Sequence, residues 1–141
     1  MKDKQKAIEQ IQVLKDEIKK LETIVNTPVN IMDIIKNPRD AFRHLNIDSQ
    51  YLNELPSKYL IAVEELRVIR LALNEGWVKT KDNYGYYPIF ERVSGSWVMA
   101  SCIYYYFFGS LAFGSLLKSR KLAIYYGEQF IDLHTIILNE E

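Results

Sequence analysis

The stretch that most constrains this chain is Trp97–Leu117, WVMASCIYYYFFGSLAFGSLL, because no charged residue occurs between Arg92 and Lys118. Charges are spread through the rest of the chain, so this run must be covered by the protein's own core, by a partner or by lipid. Its length, with Arg92 before it and Lys118, Arg120 and Lys121 after it, is that of a membrane-spanning helix. Its contents argue the other way. Tyrosines 104–106 sit at its centre, and tyrosine favours the membrane interface over the midplane. Gly109-Ser110 and Gly114-Ser115 interrupt it and add little transfer energy. The better expectation is a set of strands buried on both faces or covered by a partner chain, with a membrane role disfavoured.

The remaining composition sets wide bounds. A chain of 141 residues, 48% hydrophobic and 26% charged, is long enough for one domain with a real core. Lys plus Arg and Asp plus Glu number 18 each, so bulk charge points neither to nucleic acid nor to mimicry of a polyanion. The lone Cys102 excludes an intrachain disulfide framework and suits a reducing compartment. Flanked by Ser101, Ile103 and tyrosines, it reads as a small buried hydrophobe rather than a nucleophile. The opening MKDKQKAIEQ has no apolar segment of a secretory signal, so a cytoplasmic location is expected.

Residues 4–26 read as a helix with a heptad seam. Ala7, Ile11, Leu14, Ile18, Leu21 and Val25 alternate at spacings of four and three, and polar residues fill the other faces. Ile at the a positions with Leu at d favours a two-stranded coil, although in a parallel pair Glu17 would face Glu22 of the other helix. The seam Ile11, Leu14, Ile18, Leu21 and Val25 therefore serves oligomerisation, with a dimer favoured, or packs on its own domain. Residues 1–27 are assigned to this element and residues 28–141 to a single domain.

Thr27-Pro28 ends the helix, because proline disfavours helical geometry in the preceding residue. Residues 29–36 form a short helix or packed connector. Asn37-Pro38 is a helix start, with Asn as cap and Asp40 near the positive end of the dipole. Asp48 or Ser49 caps a further turn before Pro56. Residues 57–74 are a helix with Tyr59, Ala62, Val63, Leu66, Ile69 and Leu73 on one stripe, widened by Leu60, Val68 and Leu71, and capped by Gly76. Such a helix is expected to be touched on two sides. Glu64 and Arg67 form an exposed pair of small value.

Beyond Gly76 the composition turns aromatic. Residues 86–93 and 97–107 read as strands joined by a tight Ser94-Gly95 turn, with Pro88 marking an edge or a bulge. The second strand shows no polar alternation, so both of its faces should be covered. Leu116-Leu117 can add a short third strand. Ser119 then caps one final helix over residues 120–138, with Leu122, Ala123, Tyr126, Phe130, Leu133 and Ile137 on its core face. Helical segment 28–76 followed by hairpin and helix in 77–141 makes the fold α+β: an N-terminal coiled-coil-like helix, a helical segment, then a small antiparallel hairpin packed with a C-terminal helix.

Four segments carry a likeness: Ala72-Leu73-Asn74-Glu75-Gly76-Trp77, Tyr86-Tyr87-Pro88-x-Phe90, Lys118-Ser119-Arg120-x-Leu122-Ala123-x-Tyr125-x-Gly127-x-Gln129-Phe130, and Asp40-Ala41-Phe42-Arg43-His44-Leu45-Asn46-Ile47-Asp48. Taken in chain order, with residues 40–48 first, they resemble small proteins encoded by phages and prophages of gut bacteria, which often begin with a short coiled-coil helix. The likeness covers most of the chain from residue 38 onward. It implies a host-cell cytoplasmic location and brings no catalytic residue or cofactor with it. The group usually has Glu where this chain has Lys121, and its Gly-Ser pair lies closer to a following strand than Gly114-Ser115 does. The region between hairpin and last helix is more polar in that group, which suggests that here it is adapted to one partner.

No catalytic signature is present. His44 and His134 lie on different helices without matching Cys, Asp or Glu spacing for a metal, and each reads as a solvated or core histidine. Ser-His-acid, P-loop and dinucleotide patterns are missing. Neither enzymatic activity nor a cofactor or metal is expected. Gly109–Ser115 lacks the Gly-Lys-Ser/Thr ending of a phosphate loop and reads as turns or a close backbone approach. Lys118, Ser119, Arg120 and Lys121 crowd the start of the last helix, where free N–H groups already make the field positive, so an anion there would offset the mismatch. Lys79, Lys81 and Arg92 extend the same basic face, with tyrosines for base stacking; solvated charges that point apart are the plainer reading.

Two function classes follow. In the first, the chain is a non-enzymatic accessory protein that oligomerises and binds a host or phage protein, as an inhibitor of host defence or a virion component. Trp97, Tyr104, Tyr105, Tyr106, Phe107, Phe108 and Phe113 are its candidate contact residues. In the second, the basic helix start and tyrosines bind nucleic acid or sequester a nucleotide.

Overall fold

A computed structural model of the chain describes residues 2–26, 29–80, 82–106 and 116–139. The chain divides into two compact units, Met1–Asn30 and Ile31–Glu141.

The first unit is the helix α1, Lys2–Asn26. Its sequence alternates apolar seam and polar faces, and no residue of it is buried. Among the described residues, no helix is long and apolar enough to cross a membrane.

The second unit is α+β. It begins with a single helical turn, α2 (Ile31–Ile34), and a short helix, α3 (Pro38–His44). Asn37 starts α3 as expected, its side chain accepting from Asp40 N, and the Asp40 carboxylate accepts from Lys36 N in return. Asp48 caps a 3-10 turn over Ser49–Glu54. Ser57 caps α4 (Lys58–Asn74) through Leu60 N. The chain leaves α4 through Glu75, which is itself left-handed at φ 47°, and Gly76 at φ 84° continues that turn. The cap thus starts one residue before the glycine, and Lys118 Nζ holds the Glu75 carboxylate at 3.3 Å.

Of the stripe expected on α4, Ala62, Leu66, Ile69 and Leu73 are buried. Val68 and Ala72 join them, whereas Leu60, Val63 and Leu71 are exposed. The buried face is broad, and both α3 and α6 pack against the helix, as its wide apolar surface called for. Glu64 is more than half of a surface pair. It accepts from the Tyr51 hydroxyl at 2.9 Å and meets Arg67 at 2.6 Å, and the Arg67 guanidinium pulls its carboxyl below the ordinary range.

Two antiparallel strands, β1 (Gly85–Val93) and β2 (Ser96–Tyr105), form the hairpin. Ser94 and Gly95 both have positive φ, 51° and 82°, which is the two-residue turn whose twist matches the strands. The register shifts between Ile89 and Phe90, leaving Ala100 as the extra residue on β2, so the irregularity lies beside Pro88 rather than at it. Leu117 forms only an isolated bridge to Tyr86.

The C-terminal region is two helices, α5 (Arg120–Gln129) and α6 (Ile131–Asn139), instead of one continuous helix. Phe130 leaves helical geometry at φ −110°, ψ 30°, and its buried ring packs 5.9 Å from Tyr125 and 6.5 Å from Tyr126. Redirecting the chain there lets α5 lie across both strands while α6 reaches α4 and β2. The core gathers Ile35, Phe42, Leu66, Ile69, Leu73, Leu117, Leu122 and Phe130 between these elements.

One expectation for the hairpin fails. No residue of β2 is buried, although its sequence called for cover on both faces. The hairpin has a single layer of helices behind it, so Trp97, Met99 and Cys102 are half-buried while Val98, Ala100 and Tyr105 remain open.

Candidate interaction surfaces

The seam of α1 is an open apolar surface. Ile11, Leu14, Ile18 and Leu21 are each more than half exposed and Val25 reaches 80%. Ile8 and Ile24, beside the seam, are exposed too and widen the stripe; Val13 stands apart from it. Gln12 to Asp16 at 3.1 Å is a hydrogen bond along one helical face, of the kind that supports an isolated helix.

A second surface is the open end of the hairpin. Tyr84, Tyr104 and Tyr106 cluster there, with ring centroids 5.5 Å apart for Tyr84 and Tyr104 and 4.8 Å for Tyr84 and Tyr106. Tyr104 is 65% exposed, and Tyr105 and Tyr106 are exposed as well. Trp97 lies at the other end of β2. Its indole N–H donates to Asn139 Oδ1 at 2.9 Å, and the Arg92 guanidinium stands 5.5 Å over its ring. Trp97 thus ties the hairpin to α6, while Tyr104 and Tyr106 of the candidate set join Tyr84 in one open group. Phe107, Phe108 and Phe113, with both Gly-Ser pairs, lie outside the described residues.

The basic residues do not come together as one face, in line with the plainer reading of their sequence. Lys118 Nζ is paired with Glu75, and Lys118 N donates to Asn74 Oδ1. Ser119 Oγ accepts from Leu122 N as the cap of α5. Arg120 and Lys121 are exposed. Lys79 is only 2% exposed, and its ammonium donates to the carbonyls of Thr80 and Tyr106, so it pins the end of β2 from inside. Arg92 is six residues along β1 from Tyr86, the bridge partner of Leu117, which is about 20 Å at 3.3 Å per residue. Lys81 lies outside the described residues.

Asn74, Tyr125, Gln129 and Gly127 hold the scaffold together. Asn74 is buried and uses both ends of its amide: Nδ2 donates to Leu116 O at 3.0 Å and Oδ1 accepts from Lys118 N at 3.0 Å. Tyr125 and Gln129 reach the carbonyls of Ile35 and Lys36 at 2.5 and 2.9 Å. Gly127 lets α5 approach the hairpin, because a Cβ there would stand 2.6 Å from Met99 Cγ and 2.9 Å from Pro88 Cβ.

Sequence reasoning missed one polar constellation. Arg70 of α4, Tyr87 and Phe90 of β1, Tyr126 of α5 and His134 of α6 line a cleft of about 160 Å³. His134 is buried, with Nε2 3.2 Å from Tyr126 O, and its ring packs on Phe90 at 4.6 Å and on Tyr126 at 4.7 Å. Burial lowers it to about 4, so the imidazole is neutral and Nε2–H donates to the carbonyl. Burial likewise pushes the Tyr126 hydroxyl up, against the opposing pull of Arg70. A neutral imidazole held this way is a packing group, and the phenol stays protonated. The signal was in the i, i+8 pairing of Tyr126 with His134, which a single continuous helix hides.

A wider groove of about 470 Å³ opens between Asn37, Arg39, Phe42, Ser49, Leu52 and Glu65, and burial raises the Glu65 carboxyl. Burial also raises the half-buried Cys102 thiol, against Arg120 and a backbone bond from Tyr87, so it stays a thiol as a small apolar group would. Among the described residues, no three His, Cys, Asp or Glu side chains come together as a metal site. No family model, curated protein or solved structure matches this chain.

Proposed function

We propose that this chain is a non-enzymatic accessory protein that self-associates through α1 and binds a protein partner. The phage and prophage likeness points to an inhibitor of host defence or a virion component. The observation that carries this reading is the α1 seam, five large apolar side chains at heptad spacing with none of them buried. Burying such side chains is worth about 1.5–3 kcal/mol each, an upper range for a partly covered seam. The tyrosine group at the hairpin's open end is the second support, since tyrosine supplies rigid contact area at low entropy cost.

Sedimentation equilibrium of the purified chain tests the first part. A dimer or a multiple of it is expected, and Leu14→Glu with Leu21→Glu should break the α1 contact while leaving the thermal transition of the second unit unchanged. A wild-type chain that stays monomeric at high micromolar concentration refutes self-association. For the partner, capture from phage-infected host lysate should be lost with Tyr104→Glu and Tyr106→Glu; undiminished capture removes the tyrosines from the reading. Among the described residues near the start of α5, the nucleotide reading is left with Arg120 and Lys121, because Lys118, Ser119 and Lys79 have internal partners.

A further inference from the structure

We infer that the outer edge of β2, which has no backbone partner among the described residues, is a second self-association surface, separate from α1, on which β2 of another copy pairs antiparallel about a two-fold axis between Ala100 and Ser101. The inference starts from which backbone groups point outward. Tyr86 N–H donates to Leu117 O at 2.9 Å and Tyr86 O accepts from Leu117 N at 2.8 Å, so both groups face away from β2. Tyr86 opposite Tyr104 is therefore a non-bonded pair of the hairpin ladder, and by alternation so is Pro88 opposite Cys102. Proline, lacking an N–H, costs no ladder bond there.

Counting from the other end agrees. A two-residue turn makes Val93 and Ser96 a bonded pair, which leaves Trp97 and Met99 non-bonded opposite Arg92 and Phe90. The extra residue Ala100 reconciles the two counts, since it sets Met99 and Cys102 three apart. The free edge of β2 thus offers the N–H and C=O groups of Trp97, Met99, Cys102 and Tyr104. These residues also share the helix side of the hairpin. Trp97 bonds to Asn139, Met99 abuts Gly127, Cys102 packs on the core, and Tyr104 pairs with core-packed Tyr86.

Edges of this length are ordinarily guarded by charge or proline. From Ser96 to Tyr105 this one has neither, over about 33 Å at 3.3 Å per residue. β1 is different, since Leu117 occupies its outer edge at Tyr86 and Pro88 interrupts it.

A second copy is the occupant that matches. Around an axis between Ala100 and Ser101, Trp97 meets Tyr104 of the second copy and Met99 meets its Cys102, each pair presenting outward groups to outward groups. Val98 then meets Ile103 and Ser96 meets Tyr105 as non-bonded pairs on the open face. The extra residue of each strand falls beside that of the other, so the bulge keeps the register instead of breaking it. No like charges oppose, because the strand has none. The product is a four-stranded sheet, which is more stable than an isolated hairpin.

Disulfide trapping in the full chain tests this register. With α1 silenced by Leu14→Glu and Leu21→Glu, and Cys102→Ala removing the native thiol, Val98→Cys with Ile103→Cys should give a covalent dimer on mild oxidation. Non-bonded antiparallel pairs lie about 4.5 Å apart between Cα atoms, within disulfide range. The same two positions in one chain are about 16 Å apart along the strand, out of range. The off-register pair Val98→Cys with Tyr105→Cys should trap about tenfold less, a preference of about 1.4 kcal/mol. Ala100→Lys, at an exposed site, should leave the α1-silenced chain monomeric with its thermal transition retained. Equal trapping in both registers overturns the inference. So does an α1-silenced chain that is already monomeric with native β2, which would leave the edge to an extended segment of another protein.

Discussion

Acidification should act on the second unit through His134. Its imidazole is buried, neutral and lowered to about 4, against 6.5 for the free side chain. The folded state therefore binds a proton less readily than the unfolded chain, and stability rises with pH through this window. The contribution is full above 6.5 and is lost as pH falls toward 4. With those two values, about 2 kcal/mol disappears between pH 7.5 and 5.0. The Glu65 carboxyl, raised by burial, works in the opposite sense, and that of Glu64, lowered by Arg67, adds loss only nearer pH 4. Comparing the wild type with His134→Gln removes both contributions. The readout is urea unfolding followed by the fluorescence of Trp77 and Trp97, which lie in the second unit. Wild type should lose about 2 kcal/mol more than the variant between the two pH values. A difference below about 0.5 kcal/mol, within the error of linear extrapolation, refutes the account of a desolvated imidazole.

Two further outcomes follow from the packing. Asn74→Ala leaves Leu116 O and Lys118 N without their partner in a buried place and should cost about 2–4 kcal/mol, read as a fall in the urea midpoint. Gly127→Ala gains about 1 kcal/mol of helix propensity, but its Cβ drives into Met99 and the stiff ring of Pro88, so a net loss of about 1–2 kcal/mol is expected; a stabilised variant would show that the hairpin yields.

Much of the architecture was legible because it is local. The side chains of Asn37, Ser57 and Ser119 each satisfy an N–H three residues on, Asp48 one two residues on, and Ser94-Gly95 closes the hairpin with positive φ at both positions. The α1 stripe is visible in spacing alone. By contrast, the one weak helix former near Phe130, Gly127, lies inside α5, and the chain turns at Phe130 itself, whose ring has a buried place to fill.

The candidate site divides the same way. A row of lysines and arginines reads as one basic face until Lys79 is found inside, holding Thr80 and Tyr106, and Lys118 is found on Glu75. Such partners lie up to 43 residues apart, and no periodicity encodes them. The run Trp97–Leu117 shows the limit most plainly. Its lack of charge requires cover, and sequence alone determined that much. Only the tertiary structure decided that helices cover one face of β2 and leave the other exposed, because burial depends on how many layers the chain has left to supply.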